Sequence, residues 1–189
     1  MKAYTKLTRC RICKKPGLKK FLSLGKMPLV NNFLTAYQLL EKEPLFPLNV
    51  CFCQNCGLVQ LREVVNPKIM FKTYLYIPSF SKIMLKHFAN LAQTLTKRFH
   101  LKKNSLVIEI GSNDGTLLEF FKKERVKILG VDPATNLVKI ANDRGLETID
   151  AFFPTKLPDK FLKPKAKPIL LLAPMFLLTL IIYRISLKA

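Results

Sequence analysis

The sequence predicts an α/β protein in which a small cysteine-rich module precedes a Rossmann-like parallel sheet. Three observations predict it: two CxxC pairs in the first sixty residues, an alternation of apolar strands and amphipathic helices from 105 to 152, and the turn EIGSNDG at 109–115. At 189 residues the chain is long enough to bury a core in each part.

Cys10 and Cys13 form the first CxxC, Cys53 and Cys56 the second, with Gly17 and Gly57 close behind. A CxxC turn sets two thiolates on one side of a tight loop, and two such turns close a tetrahedron around zinc. The 39 residues between Cys13 and Cys53 exceed the spacing of a minimal ribbon, so a small folded insert is expected between them. Cys51 makes a CxC with Cys53 and competes as a ligand, although the symmetry of the two pairs leaves it as the spare. Four thiolates fill the metal and no acid or histidine lies near to activate water, so the zinc is expected to be structural. Five cysteines without a secretory leader favour reduced or metal-bound thiols and a cytoplasmic setting.

Pro67 to Tyr76 is aromatic and turn-rich. From Ser79 to Phe99 the apolar residues Ile83, Leu85, Phe88, Leu91, Ala92, Leu95 and Phe99 recur at helical spacing, which predicts an amphipathic helix. His87 and His100 fall on it or at its end and read as surface or packing residues. The pattern then becomes βαβ. Ser105 to Ile110 is a short apolar strand, Thr116 to Lys123 a helix, and Lys127 to Val131 a strand that ends at Asp132. Asn136 to Arg144 follows as a helix and Glu147 to Phe152 as a third strand. A strand that enters a glycine turn and then a helix presents backbone N–H groups to a nucleotide-like ligand. Asp132 lies 17 residues beyond Gly115, close to the spacing at which an acid binds ribose hydroxyls.

Lys and Arg outnumber Asp and Glu by 32 to 12, a net charge of +20, and nine basic residues precede the first acid. This charge can attract nucleic acid or an anionic surface. The lysines are scattered, without the interleaved aromatics of a stacking surface, so no nucleic-acid partner is expected.

The strings CRIC, LGKMPLVNNFL, PLNVCFCQNCGLVQL, FKTYLYIPSFS, VIEIGSNDGTLL and LGVDPATN, in that order, resemble the sugar C-methyltransferases with an amino-terminal zinc-binding domain. The resemblance runs from residue 10 to about 153. It implies a class I methyltransferase fold, here partial, that uses S-adenosylmethionine to methylate a carbon of a nucleotide-linked deoxy sugar. It further implies that Glu109, Gly111, Ser112, Asn113, Asp114 and Gly115 surround the methionine and ribose portions, with Asp132 on the ribose hydroxyls. Tyr76, in YLYIPSFS, stands where the family has a tyrosine facing the substrate, and either orients the sugar and assists proton transfer or packs as an aromatic beside Tyr74. Pro78 departs from the family, which often has a small polar residue there. The domain boundaries implied are a zinc-binding domain at 1–66, a linker and helix at 67–103, a partial S-adenosylmethionine-binding domain at 104–166 and an apolar tail at 167–189.

That tail is anomalous. Pro168 to Tyr183 reads PILLLAPMFLLTLIIY, without charge, between lysines and Arg184. It is short for a membrane helix, which needs about 20 residues, and a membrane partner is expected only through 168–183. The family resembles ADIIIGANVFAHIDN in this region, including a histidine near the active site. A codon read one base early takes its last two bases from the next residue's codon, so Met175 with Phe176 forces Val. Pro174 with Met175, Leu178 with Thr179, and Leu180 with Ile181 each yield Asn, Asp, His or Tyr. One permitted reading of 167–182 is ADIIIGANVFAHIDN. The tail therefore reads as frameshifted, which implies a truncated methyltransferase that binds zinc, binds cofactor weakly or not at all, and does not turn over. Three strands would also leave an open sheet edge, prone to aggregation or to pairing with the tail. The alternatives are a zinc-ribbon nucleic-acid-binding protein and a basic protein with one carboxy-terminal membrane anchor.

Overall fold

The computed structural model describes residues 2–153, 169–172 and 183–185. They fall into two compact units that divide between Leu75 and Tyr76.

In the first unit, β2 (Leu18–Met27) and β3 (Phe46–Cys53) form a long antiparallel arm, extended by β4 (Val59–Leu61) into a three-stranded sheet. This arm is the insert expected between the cysteine pairs. Its register sets Leu18 opposite Cys53, so the chain leaves the first pair along β2 and returns to deliver the second pair beside it. Without that return, 39 residues would separate the pairs in space as well as in sequence. β1 (Tyr4–Lys6) pairs antiparallel with β5 (Glu63–Val65), and the Tyr4 ring meets Phe46 edge-on at 6.3 Å between centroids. The short helix α1 (Pro67–Phe71) begins with Pro67, whose missing N–H costs nothing there, and the side chain of Asn66 caps it by accepting from the Lys68 N–H at 3.0 Å.

The second unit opens with a 3-10 turn at Pro78–Phe80 and the helix α2 (Lys82–Arg98), whose first turn is capped by Ser81 Oγ accepting from the Met84 N–H at 3.3 Å. Its sheet contains β6 (Leu106–Ile110), β7 (Lys127–Asp132), β8 (Thr148–Asp150), β9 (Ile169–Leu172) and β10 (Tyr183–Ile185) in the order β10-β9-β6-β7-β8. β9, β6, β7 and β8 run parallel, and β10 is antiparallel to β9. Helices α3 (Thr116–Lys123) and α4 (Thr135–Asp143) connect the parallel strands as the βαβ pattern predicts.

Alternation along the parallel strands sends Val107 to one face and Leu106 and Ile108 to the other. On the first face Phe88, Ala92 and Leu95 of α2 pack with Leu117 and Phe121 of α3, and with Leu170 and Leu172 of β9. On the second face Leu129 and Val131 complete a smaller cluster. Of the apolar positions at helical spacing, Phe88, Ala92 and Leu95 are buried and Leu91 and Phe99 pack beside them, whereas Ile83 in the first turn is exposed, against expectation, and Met84 packs against the core instead.

Ile169–Leu172 covers the edge of β6 that three strands alone would leave open, with Leu106 opposite Ile169 and Ile108 opposite Leu171. A continuous apolar run is what a parallel strand buried on both faces needs, so this part of the tail satisfies the sheet whatever its origin. Among the described residues no helix is long and apolar enough to cross a membrane, and residues 173–182 of the apolar segment lie outside the described residues.

Phe121 is fully buried at the junction of α2, α3 and the sheet. Phe121→Ala is expected to destabilise the second unit by about 3–5 kcal/mol in urea unfolding, through lost burial and the cavity left behind.

Candidate metal centre and cofactor turn

The two cysteine pairs are built on the same turn twice. In the first, the Lys14 N–H donates to the Cys10 carbonyl at 3.1 Å, and Lys14 takes the left-handed conformation at φ 61°. In the second, the Gly57 N–H donates to the Cys53 carbonyl at 2.9 Å, and Gly57 has φ 74°. Each turn leaves two sulfurs on one side. The Sγ atoms of Cys10 and Cys56 stand 3.7 Å apart, as do those of Cys13 and Cys53, and all four lie within 4.8 Å of one another. A zinc–sulfur bond of about 2.3 Å gives a tetrahedron with sulfur–sulfur edges of about 3.8 Å, so the donor set fits zinc with four thiolates.

The electrostatics of the four thiols alone point the same way. Burial opposes ionisation of Cys53, but backbone hydrogen bonds from Asn55 and Cys56 and the thiols of Cys56 and Cys13 overcome it and bring Cys53 down to about 6. A backbone hydrogen bond from Leu58 favours the Cys56 thiolate, yet burial and the three neighbouring thiols push it up to about 12. Cys10 and Cys53 are thus shifted towards the thiolate and Cys56 away from it, and a cation among the four sulfurs would share the charge. Cys51 is buried on β3 and lies outside the group of four, in agreement with its reading as the spare.

The second site is assembled at the carboxyl ends of β6 and β7, next to the point where the strand order reverses between β6 and β9. Gly111, Asn113 and Gly115 all adopt positive φ, at 71°, 54° and 76°. Glycine and asparagine are the residues that take this conformation at least cost, which is why the turn contains them in alternation. A Cβ on Gly115 would also lie 2.7 Å from Leu146 Cδ1.

Asp132 holds the turn in place. Its Oδ2 accepts from the Asn113 N–H at 2.8 Å and its Oδ1 from the Ala134 N–H at 2.8 Å, which ties the turn after β6 to the start of α4. Burial raises its pKa; the N–H groups of Ala134 and Asn113 oppose this, and the charge of Asp150 adds to it. Asp114 is 1% exposed, and its carboxylate faces inward: Thr116 Oγ1 donates to Oδ1 at 2.6 Å and Arg144 Nη1 approaches Oδ2 at 3.3 Å. Arg144 also donates to the Asp114 carbonyl at 2.9 Å and pairs with Glu119.

Glu109 is 2% exposed, and among the described residues its Oε2 has no hydrogen-bond partner. Burial holds its pKa well above the usual carboxylate range, with the charges of Asp114 and Asp132 adding to the effect. The Oγ of Ser112 is likewise buried and unpartnered. Glu109 lies near the carboxyl end of β6 and Ser112 in the turn that follows, so the two orphaned atoms fall at one end of the sheet. Ser112 fits there because residue 130 is glycine, where a Cβ would lie 2.6 Å from Ser112 Oγ and 2.6 Å from Thr148 Oγ1.

Tyr76 is 40% exposed, and its backbone carbonyl accepts from Asn113 Nδ2 at 3.0 Å. The structure therefore gathers Glu109, Gly111 to Gly115 and Asp132 at one place and ties the Tyr76 segment to them. Sequence reasoning missed Gly130 and Arg144. A glycine inside the strand KILGVD is a signal of close approach, whereas a basic residue at a helix end carries no particular one. A concavity of about 860 Å³ in the first unit, walled by Met27, Phe46, Leu48, Met70 and Phe71, contains none of the sequence-predicted site residues.

Residues 10–71 match a family described as a "putative zinc binding domain". Over 154 residues the chain is 37% identical to the C-methyltransferase NovU of Streptomyces niveus, a match that covers 82% of this chain. The chain is thus similar to a C-methyltransferase over most of its own length, and to a zinc-binding family over its first unit. It spans 37% of the length of that C-methyltransferase relative. Among solved structures, the plantazolicin methyltransferase BpumL in complex with SAH is 15% identical, with 49% of this chain and 52% of that one covered and a TM-score of 0.26.

Chelation of the metal is expected to release a single zinc ion and to unfold the first unit, seen as loss of far-ultraviolet strand signal. Cys51→Ser keeps the zinc content measured by mass spectrometry and Cys53→Ser loses it. Glu109→Gln addresses the second site. The unfolded glutamate ionises near its ordinary pKa, whereas burial raises that of the folded one, so the wild type loses stability as pH rises above the ordinary value. The variant is therefore expected to be more stable than the wild type at neutral pH in urea unfolding, with the advantage shrinking towards about pH 4.

Proposed function

We propose that this chain provides the zinc module and the cofactor site of an S-adenosylmethionine-dependent C-methyltransferase acting on a nucleotide-linked deoxy sugar. The observation that carries the proposal is the segment 109–115, where Glu109 Oε2 and Ser112 Oγ are buried without a hydrogen-bond partner among the described residues, beside Asp132. The C-methyltransferase relative supports the reaction type.

S-adenosylmethionine supplies an electrophilic methyl group on a sulfonium. The chain's own residues bind and orient. Gly111 and Gly115 keep the turn open to close approach, while Ser112 Oγ and Glu109 offer polar atoms to the methionine portion. Asp132 retains a lone pair on each oxygen after accepting its two N–H bonds, enough to receive a ribose diol. A cation near Glu109 would also favour its ionised form, so cofactor binding and loss of that proton are expected to be coupled. Tyr76 stands as the residue that orients the acceptor or helps move its proton. Methylation of a carbon needs an acceptor deprotonated beside a carbonyl and held in line with the methyl group. We infer that the 189-residue polypeptide, with Tyr76 alone proposed for moving the proton, binds cofactor weakly and does not turn over.

A small-molecule substrate accounts for the 109–132 site, which a zinc-ribbon nucleic-acid reading leaves without a role. Four thiolates on zinc suit a reducing cytoplasm.

Calorimetry with S-adenosylhomocysteine is expected to show weak binding to the wild-type chain and at least about tenfold weaker binding to Asp132→Ala, from loss of charge-assisted hydrogen bonds. Equal affinity of the two would contradict the assignment of Asp132, and methyl transfer by the 189-residue chain would contradict the inference of no turnover.

A further inference from the structure

Asn113 is 7% exposed and uses its whole side chain in two directions. Its Oδ1 accepts from the Asp114 N–H at 2.8 Å, inside the turn, while its Nδ2 donates outward to the Tyr76 carbonyl at 3.0 Å. Its own N–H is held by Asp132 Oδ2 at 2.8 Å. The orientation of the amide follows from its partners, since a backbone N–H needs an acceptor and a carbonyl needs a donor.

We propose that Asn113 is a positioning residue that ties the Tyr76 segment to the cofactor turn, so that occupancy of the turn and the placement of Tyr76 are coupled through one amide. That role rests on reading 109–115 as a cofactor site. Few residue types meet the demands of the position. It requires φ 54°, which asparagine tolerates and branched residues do not. It requires a donor and an acceptor on a short arm. Aspartate has the conformation and the acceptor without the donor, glycine has the conformation alone, and glutamine places its amide one carbon too far out. Thirty-seven residues separate Tyr76 from Asn113, so local chain geometry does not hold them together. Tyr76 also precedes Pro78, whose turn leads into α2, so the tie fixes the entry to that helix at the tyrosine itself.

The test uses the full 189-residue chain labelled with 3-fluorotyrosine, which places one fluorine signal on each of its five tyrosines. Tyr76→Phe assigns the Tyr76 signal. Three samples are compared: wild type, Asn113→Gly and Asn113→Asp, each free and with excess S-adenosylhomocysteine. In both variants the free-state Tyr76 signal is expected to move towards the position of unstructured tyrosine and to narrow, while those of Tyr4, Tyr37 and Tyr74 stay in place. Added S-adenosylhomocysteine shifts the Tyr76 signal in the wild type, and that shift is lost in the variants. Slow amide exchange in β6 reports that the second unit remains folded. If Asn113→Gly fails this check, Asn113→Asp decides at a pH where the second unit stays folded, because it keeps the acceptor and exchanges the donor for a carboxylate oxygen. An unchanged Tyr76 signal in a folded variant overturns the tie, and a variant that keeps the ligand-induced shift overturns the coupling. Absence of S-adenosylhomocysteine binding by the wild type overturns the cofactor reading and with it the positioning role. It remains distinct from failure of the tie, which the ligand-free signals report.

Discussion

The carboxylate of Asp132 is the constraint on which the second unit's site depends. Its two oxygens bind the N–H groups of Asn113 and Ala134, on either side of the cleft between the ends of β6 and β7. A turn with three left-handed residues has little intrinsic preference for one shape, because glycine leaves many conformations open. Anchoring its central N–H to a buried acid removes that freedom, and the acid in turn stands at the tip of a strand locked by parallel pairing, with Glu109 opposite Gly130 and Ile110 opposite Val131. Glu109, Ser112 and Asn113 then take positions that follow from the strand register. The carboxylate is held against its own burial, which is the kind of local cost that binding sites accept in exchange for a fixed geometry.

Zinc plays the corresponding part in the first unit. The arm formed by β2 and β3 leaves Phe21, Leu22 and Leu24 exposed, and the strands β4 and β5 are three residues long, so apolar burial within the arm is modest. A metal bridging the turns at Cys10–Cys13 and Cys53–Cys56 closes a long loop and fixes the base of the arm. The free energy of metal binding becomes folding free energy in such a module. The electrostatics of the thiols agree, since Cys53 ionises easily and Cys56 resists.

Much of this was legible in the chain. Cys10, Cys13, Cys53 and Cys56 declare a tetrahedron through spacing alone, because a CxxC turn has one compact geometry. The helix at Thr116–Lys123 and the strand that ends at Asp132 fall where periodicity and the strand-turn-helix order place them. What stayed hidden depends on tertiary proximity. Arg144 reaches Asp114 and Glu119 from the end of α4, and no pattern in the sequence connects residues 30 and 25 positions apart. The bond between Asn113 and Tyr76 involves a backbone carbonyl, which carries no residue signature at all. Gly130 had a readable signal, a glycine inside a strand, whose meaning emerged only when Ser112 and Thr148 were seen to crowd it. Ile169–Leu172 shows the limit of reading an apolar run, because the same composition suits a membrane span, a misread frame and a buried parallel strand. Pairing with β6 places these four residues in a parallel strand, whatever their origin.

Amide chemical-shift mapping of the nitrogen-15-labelled chain with S-adenosylhomocysteine tests the central claim most directly. The account predicts the largest shifts at Gly111, Ser112, Asn113, Gly115 and Asp132. Shifts spread over the lysine-rich surface, or confined to residues away from the ends of β6 and β7, would contradict it.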